Sequence, residues 1–117
     1  MADEFGVAGD IQLEGGINGY EAFKKGLYYA NGDNEDADDE KAKYYFELAA
    51  QYHVANACGM LGVMYENGRI GAPDLSKALP WYELAYRYGN EDALSDVNRV
   101  KEAVNKPAFK TKSFNFS

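Results

Sequence analysis

With 117 residues, 46% of them hydrophobic, the chain is long enough for one core-bearing domain and too apolar for the disordered class. Its net charge of −7 repels phosphate backbones and anionic lipid surfaces, so neither nucleic acid nor a membrane is an expected partner; a basic protein is the positive corollary. The lone cysteine, Cys58, permits no intrachain disulfide, no basic segment leads into an apolar run at the start, and no stretch approaches the ~18 apolar residues of a membrane span; cytoplasmic residence is the expectation.

Residues 1–18 are rich in glycine and lack a helical period, and they are expected to form a flexible leader. From Gly19 the pattern changes. Tyr20, Phe23, Leu27 and Ala30 recur at spacings of three and four, predicting a first helix with one apolar stripe, and Gly32 is placed to end it in the left-handed conformation. The acidic run 33–40 invites a calcium-loop reading, but no glycine stands sixth from Asp33, and Tyr44 is twelfth where a bidentate Glu is required. Asp38, Asp39 and Glu40 instead suit the N-terminus of a second helix, about 39–52, with Ala42, Tyr45, Phe46, Ala49 and Tyr52 on one side.

A third helix, about 54–67, carries Ala57, Leu61, Met64 and Tyr65, with Gly62 inside it and Gly68 at its end. Asp74 caps a fourth, about 74–88, built on Ala78, Trp81, Tyr82, Ala85 and Tyr88. Pro80 should either bend this helix or mark where a short first turn gives way to the helix proper. A fifth helix, about 91–105, sets Ala93, Val97, Val100 and Val104 against a charged face, as a capping element does. Pro107 stops it. The tail, 106–117, alternates Phe114 and Phe116 with polar residues and carries Lys110 and Lys112; folding back on an apolar groove and remaining loose are both open.

These helices repeat. Shifting residues 62–93 by 36 positions superimposes them on 26–57 with 12 identities and no gap, among them Gly62 on Gly26, Asp74 on Asp38, Ala85 on Ala49 and Tyr88 on Tyr52. A fixed period of this size signals stacked helix pairs. Glycine inside a helix costs roughly 1 kcal/mol against alanine. Its recurrence at one repeat position, 26 and 62, predicts a close approach by a neighbouring helix.

Chemistry is poorly supplied. His53 is the single histidine, and with Cys58 five residues on it makes neither a convincing dyad nor a metal site, which needs three or four fitting ligands. Packing accounts for both better, Cys58 as a small buried side chain and His53 at a helix end. No carboxylate pair and no phosphate-binding glycine loop can be nominated. The expectation is a protein without catalytic residues, metal ligands or cofactor.

The run Ala57, Leu61-Gly62, Tyr65, Gly68, Asp74, Lys77-Ala78, Trp81-Tyr82, Ala85, Gly89, Ala93 resembles the Sel-one-like repeat family. That resemblance implies an all-α fold, an α/α solenoid of antiparallel helix pairs in a right-handed superhelical stack, here of about five helices within 19–105. The repeats would be about 21–56 and 57–92, with a capping helix about 91–105. The first repeat departs at Glu21, Lys25 and His53. The family implies adaptor or scaffold work through protein–protein contacts, not an enzyme.

In such stacks the first helices of each pair line the concave side. Their variable positions fall in columns here: Lys24, Met60 and Asp96; Tyr28, Met64 and Val100; Asn31 and Asn67. The expected groove for a protein or peptide is therefore Lys24, Tyr28, Asn31, Met60, Met64, Asn67 and Asp96, in a monomer or weak homo-oligomer. An alternative is a small acidic immunity or inhibitor protein that neutralises a toxin or enzyme partner.

Overall fold

A computed structural model describes residues 18–106 as five helices: α1 (Gly19–Ala30), α2 (Asp39–Gln51), α3 (Ala55–Glu66), α4 (Leu75–Arg87) and α5 (Ala93–Asn105). The leader before Asn18 and the tail after Lys106 lie outside the described residues, whereas Asn18 itself caps α1 by accepting from the Glu21 N–H at 2.9 Å. The architecture is an all-α helical-repeat solenoid, with α1 packed on α2, α3 on α4, and α5 against α4. The two pairs are closed by the same local bonds. Asp38 and Asp74 cap the second helix of each pair through the N–H of Lys41 and Lys77, and the N–H groups of Asp38 and Asp74 donate back to Tyr29 and Tyr65, both at 2.9 Å.

Within a pair, small residues let the helices approach closely. A Cβ at Gly26 would stand 2.5 Å from the Phe46 ring, and one at Gly62 would stand 2.8 Å from Tyr82. The two glycines are the floor on which the aromatic of the partner helix lies. Between layers, Ala57, Leu61 and Met64 of α3 close over Ala42, Phe46 and Ala49 of α2. One repeat later Val97 and Val100 of α5 do the same with Ala78 and Tyr82. The equivalent α1 positions are Glu21, Lys25 and Tyr28, all exposed, so this end of the stack presents a polar face that suits water.

Two expectations need correcting. Tyr20 and Leu27 are 62% and 40% exposed, and the buried line of α1 is Gly19, Ala22 and Gly26, because the Phe46 ring requires the small residues beneath it. Gly32 does not adopt a left-handed conformation. Asparagines end α1 instead: Asn31 accepts from the Asp33 N–H at 3.0 Å, and the Asn34 side chain donates to the Tyr28 carbonyl at 3.0 Å. The left-handed residue of the first repeat is His53, at φ 62°, where Gly89 stands at φ 118° in the second. Its ring stacks on Tyr88 with centroids 4.3 Å apart, a contact between layers that offsets the backbone cost.

Pro80 lies inside a continuous α4. Both Pro80 and Ser76, the residue whose carbonyl loses its donor, are exposed, so water takes up the missing bond. The helix does not restart at the proline.

Candidate protein-binding groove

Polar struts tie the layers together and fix the geometry between them. Arg69, in the turn after α3, donates to the Ala30 carbonyl at 2.8 Å and pairs with Asp39, joining the end of α1 to the start of α2. Glu66 at the end of α3 accepts from the Tyr82 hydroxyl at 2.7 Å and from the Arg99 guanidinium at 3.1 Å; Arg99 also reaches Asp96 at 3.0 Å. The guanidinium, and secondarily the phenol, hold the Glu66 carboxyl below its ordinary value, against the opposing effect of burial. Burial, and then the Glu66 carboxylate, push the Tyr82 phenol upward.

A carboxyl depressed on folding stabilises the fold at pH above its unfolded value, and that contribution is lost as pH falls through the folded one. Acid titration of wild type should therefore lose stability through and below the ordinary carboxylate range. Glu66→Gln should be about 1 kcal/mol less stable at neutral pH, a modest figure because Arg99 is half exposed, and should show a flatter acid limb. Thermal melts at stepped pH check both.

Inside this frame a groove of about 280 Å³ opens along α3, between α1 and the start of α5. Its walls include Phe23 of α1, Asn56, Met60 and Val63 of α3, Asn90 of the α4–α5 turn, and Asp96 of α5. The Asn56 side chain is exposed and has no hydrogen-bond partner among the described residues. Asn90 accepts from the Asp92 N–H at 3.1 Å, which leaves its amide nitrogen beside Gly59 of α3 without an acceptor among those residues. Amide groups beside an apolar floor can bond a passing backbone while the floor takes a side chain.

The residues expected to form the groove are divided. Met60 and Asp96 line it. Lys24 lies 3.4 Å from Glu21 and over the Tyr20 ring on the outer side of α1. The Tyr28 hydroxyl donates to Asp36 at 2.6 Å, and Asn31 and Asn67 are the C-caps of α1 and α3. Met64 is fully buried against Phe46 and Leu61, and Val100 is equally buried, so that column belongs to the core between layers.

The reason is angular. A helix turns about 100° per residue, so a step of four from Met60 rotates about 40° toward the buried line 57, 61, 64, and a step of three rotates about 60° the other way. Val63 and Asn56 take the open side, together with Phe23. The cue in the sequence was the line 56, 60, 63, one residue before the buried one.

Cys58 is fully buried beside Ala85 and Ala93, and burial pushes its thiol up to about 11, which keeps it protonated and unreactive. Among the described residues no three histidine, cysteine or carboxylate side chains converge as metal ligands. No described helix is long and apolar enough to cross a membrane.

Comparison with known proteins fits this geometry. No curated protein matches the chain. The family model of the Sel1 repeat matches residues 22–51 and 55–90, more than half of the sequence, and the matched segments end with α2 and begin with α3. Two helix pairs with matching caps, matching glycine floors and a helix closing the stack place the chain in the Sel1 repeat family, whose repeats are generally non-catalytic protein–protein interaction modules.

Proposed function

We propose that the protein is an adaptor that captures a segment of another protein along the groove of Phe23, Asn56, Met60, Val63 and Asn90. The observation that carries this reading is the pairing of two side-chain amides, unpartnered among the described residues, with a partly apolar floor. The captured segment is extended, with its backbone bonded by Asn56 and Asn90 and a medium-sized apolar side chain seated between Met60 and Val63.

Asn56→Ala combined with Met60→Gln removes one amide and polarises the floor without touching the buried line. Affinity for a partner isolated from extract of the source cell should fall about tenfold or more. The melting temperature should stay within a few degrees of wild type. Unchanged affinity in a folded double variant would refute the assignment; if the double variant melts early, Asn56→Ala alone decides the question.

A further inference from the structure

The groove of Phe23, Asn56, Met60 and Val63 has one charged side chain in its lining, the carboxylate of Asp96. The repeat register explains why it stands there. Shifted by 36 positions, the open line Asn56, Met60, Val63 of α3 becomes Asp92, Asp96, Arg99 of α5. An amide-and-apolar strip on one layer is followed by a charged strip on the next.

That strip is acidic on balance. Arg99 is its one cation, and two carboxylates share it: both oxygens of Glu66 accept from the guanidinium, and so does one oxygen of Asp96, at 3.0 Å. The second Asp96 oxygen accepts no hydrogen bond from a described residue, and the side chain is 39% exposed. Glu91 and Asp92, next to Asn90 in the α4–α5 turn, are exposed and add negative charge. The other cations of the neighbourhood are engaged elsewhere. Lys24 is held by Glu21, Lys25 lies over the Tyr45 ring of α2, Arg69 pairs with Asp39, and His53 is stacked on Tyr88. Arg87 and Lys101 line a separate groove between α4 and α5.

We propose that the segment captured along α3 carries a lysine or arginine, and that Asp96 selects it. The inference rests on the binding mode proposed above and adds the chemistry of the partner. In an extended segment, side chains on one face recur every second residue, about 7 Å apart. With an apolar side chain seated between Met60 and Val63, the residue two positions along the same face lies toward α5. A long basic side chain spans the remaining distance to the carboxylate. The expected pattern is apolar, any residue, basic, read in either chain direction. An incoming ammonium or guanidinium takes the free Asp96 oxygen without displacing Arg99, and the net charge of −7 favours its approach.

Asp96 also lies in the first turn of α5, where an acid favours the helix by itself. Lost stability on its removal would therefore not separate the two roles. A change in the sequence selected does.

A displayed library of random short peptides is panned at low ionic strength on the immobilised full chain, on Asp96→Asn, and on Asn56→Ala with Met60→Gln. Wild type should enrich the pattern, with lysine or arginine at the basic position about threefold or more over the unselected library. Asp96→Asn should keep the apolar preference and lose the basic one, and raised salt should do the same to wild type. If Asp96→Asn melts early, Asp96→Ser takes its place, and a basic preference that survives raised salt counts against the pair in either case. Equal enrichment of basic residues by the Asp96 variant, or an apolar preference without them in wild type, would overturn the role of Asp96 and leave the groove standing. Enrichment unchanged by Asn56→Ala with Met60→Gln would overturn the groove itself and the inference with it. So would the absence of any enriched sequence.

Discussion

Phe46→Ala should cost about 4 kcal/mol of unfolding free energy, by analogy with other fully buried aromatics cut to alanine. The ring is completely inaccessible, and its environment leaves little room for collapse. It lies on the backbone of α1 at Gly26, tilts against Phe23 with centroids 5.9 Å apart, and is covered from the next layer by Leu61 and Met64. It therefore touches both its own pair and the following one. Denaturant melts should show a lower midpoint, with loss of the first pair before the second if the stack behaves as neighbouring units joined by their interfaces. A loss under about 1 kcal/mol would mean that the pair is not held by this ring.

Gly26→Ala tests the same contact from the other side, with the opposite sign from ordinary helix propensity. On an open helix the change gains roughly 1 kcal/mol. At position 26 the added methyl would sit 2.5 Å from the Phe46 ring, so ring or helix must move. Overpacking of this kind costs about 1–3 kcal/mol, and the forced separation of α1 from α2 places the expected net loss near 2 kcal/mol. Gly32→Ala is the control, since nothing lies within 4 Å of the new atom and the backbone is not left-handed. It should be neutral or slightly stabilising. Phe46→Leu should partly rescue Gly26→Ala by drawing the ring back. Independent, additive effects of the two changes would contradict the contact.

The fold was largely legible because each layer repeats the same local instructions. Asp38 and Asp74 announce helix starts, Gly26 and Gly62 announce a close approach, and the alternation of alanine with aromatics announces a packed second helix. All of these are satisfied within a single pair. What the sequence did not display are features that depend on the neighbouring layer. Met64 looks as available as Met60 by periodicity, but the layer of α2 closes over it. Tyr20 and Leu27 read as a core stripe, but the Phe46 ring of α2 lies on the line of Gly19, Ala22 and Gly26 instead.

His53 belongs to the same class. Its left-handed backbone is foreshadowed by its alignment with Gly89, yet its stacking on Tyr88 depends on how the second pair docks. The groove was found in part for a related reason. The column of Met60 and Asp96 had the right phase, but the neighbouring columns were taken in the direction that turns inward.

Site-resolved mapping of a captured partner bears most directly on the proposed function. When an isotope-enriched sample is titrated with the partner, the amide signals of Asn56, Met60, Val63 and the side-chain amide of Asn90 should shift together and saturate. Those of Glu40, Tyr44 and Lys77, on the outer faces of α2 and α4, should not move. Shifts confined to the outer faces of α2 and α4, with the groove of Asn56 and Asn90 unaffected, would contradict the account.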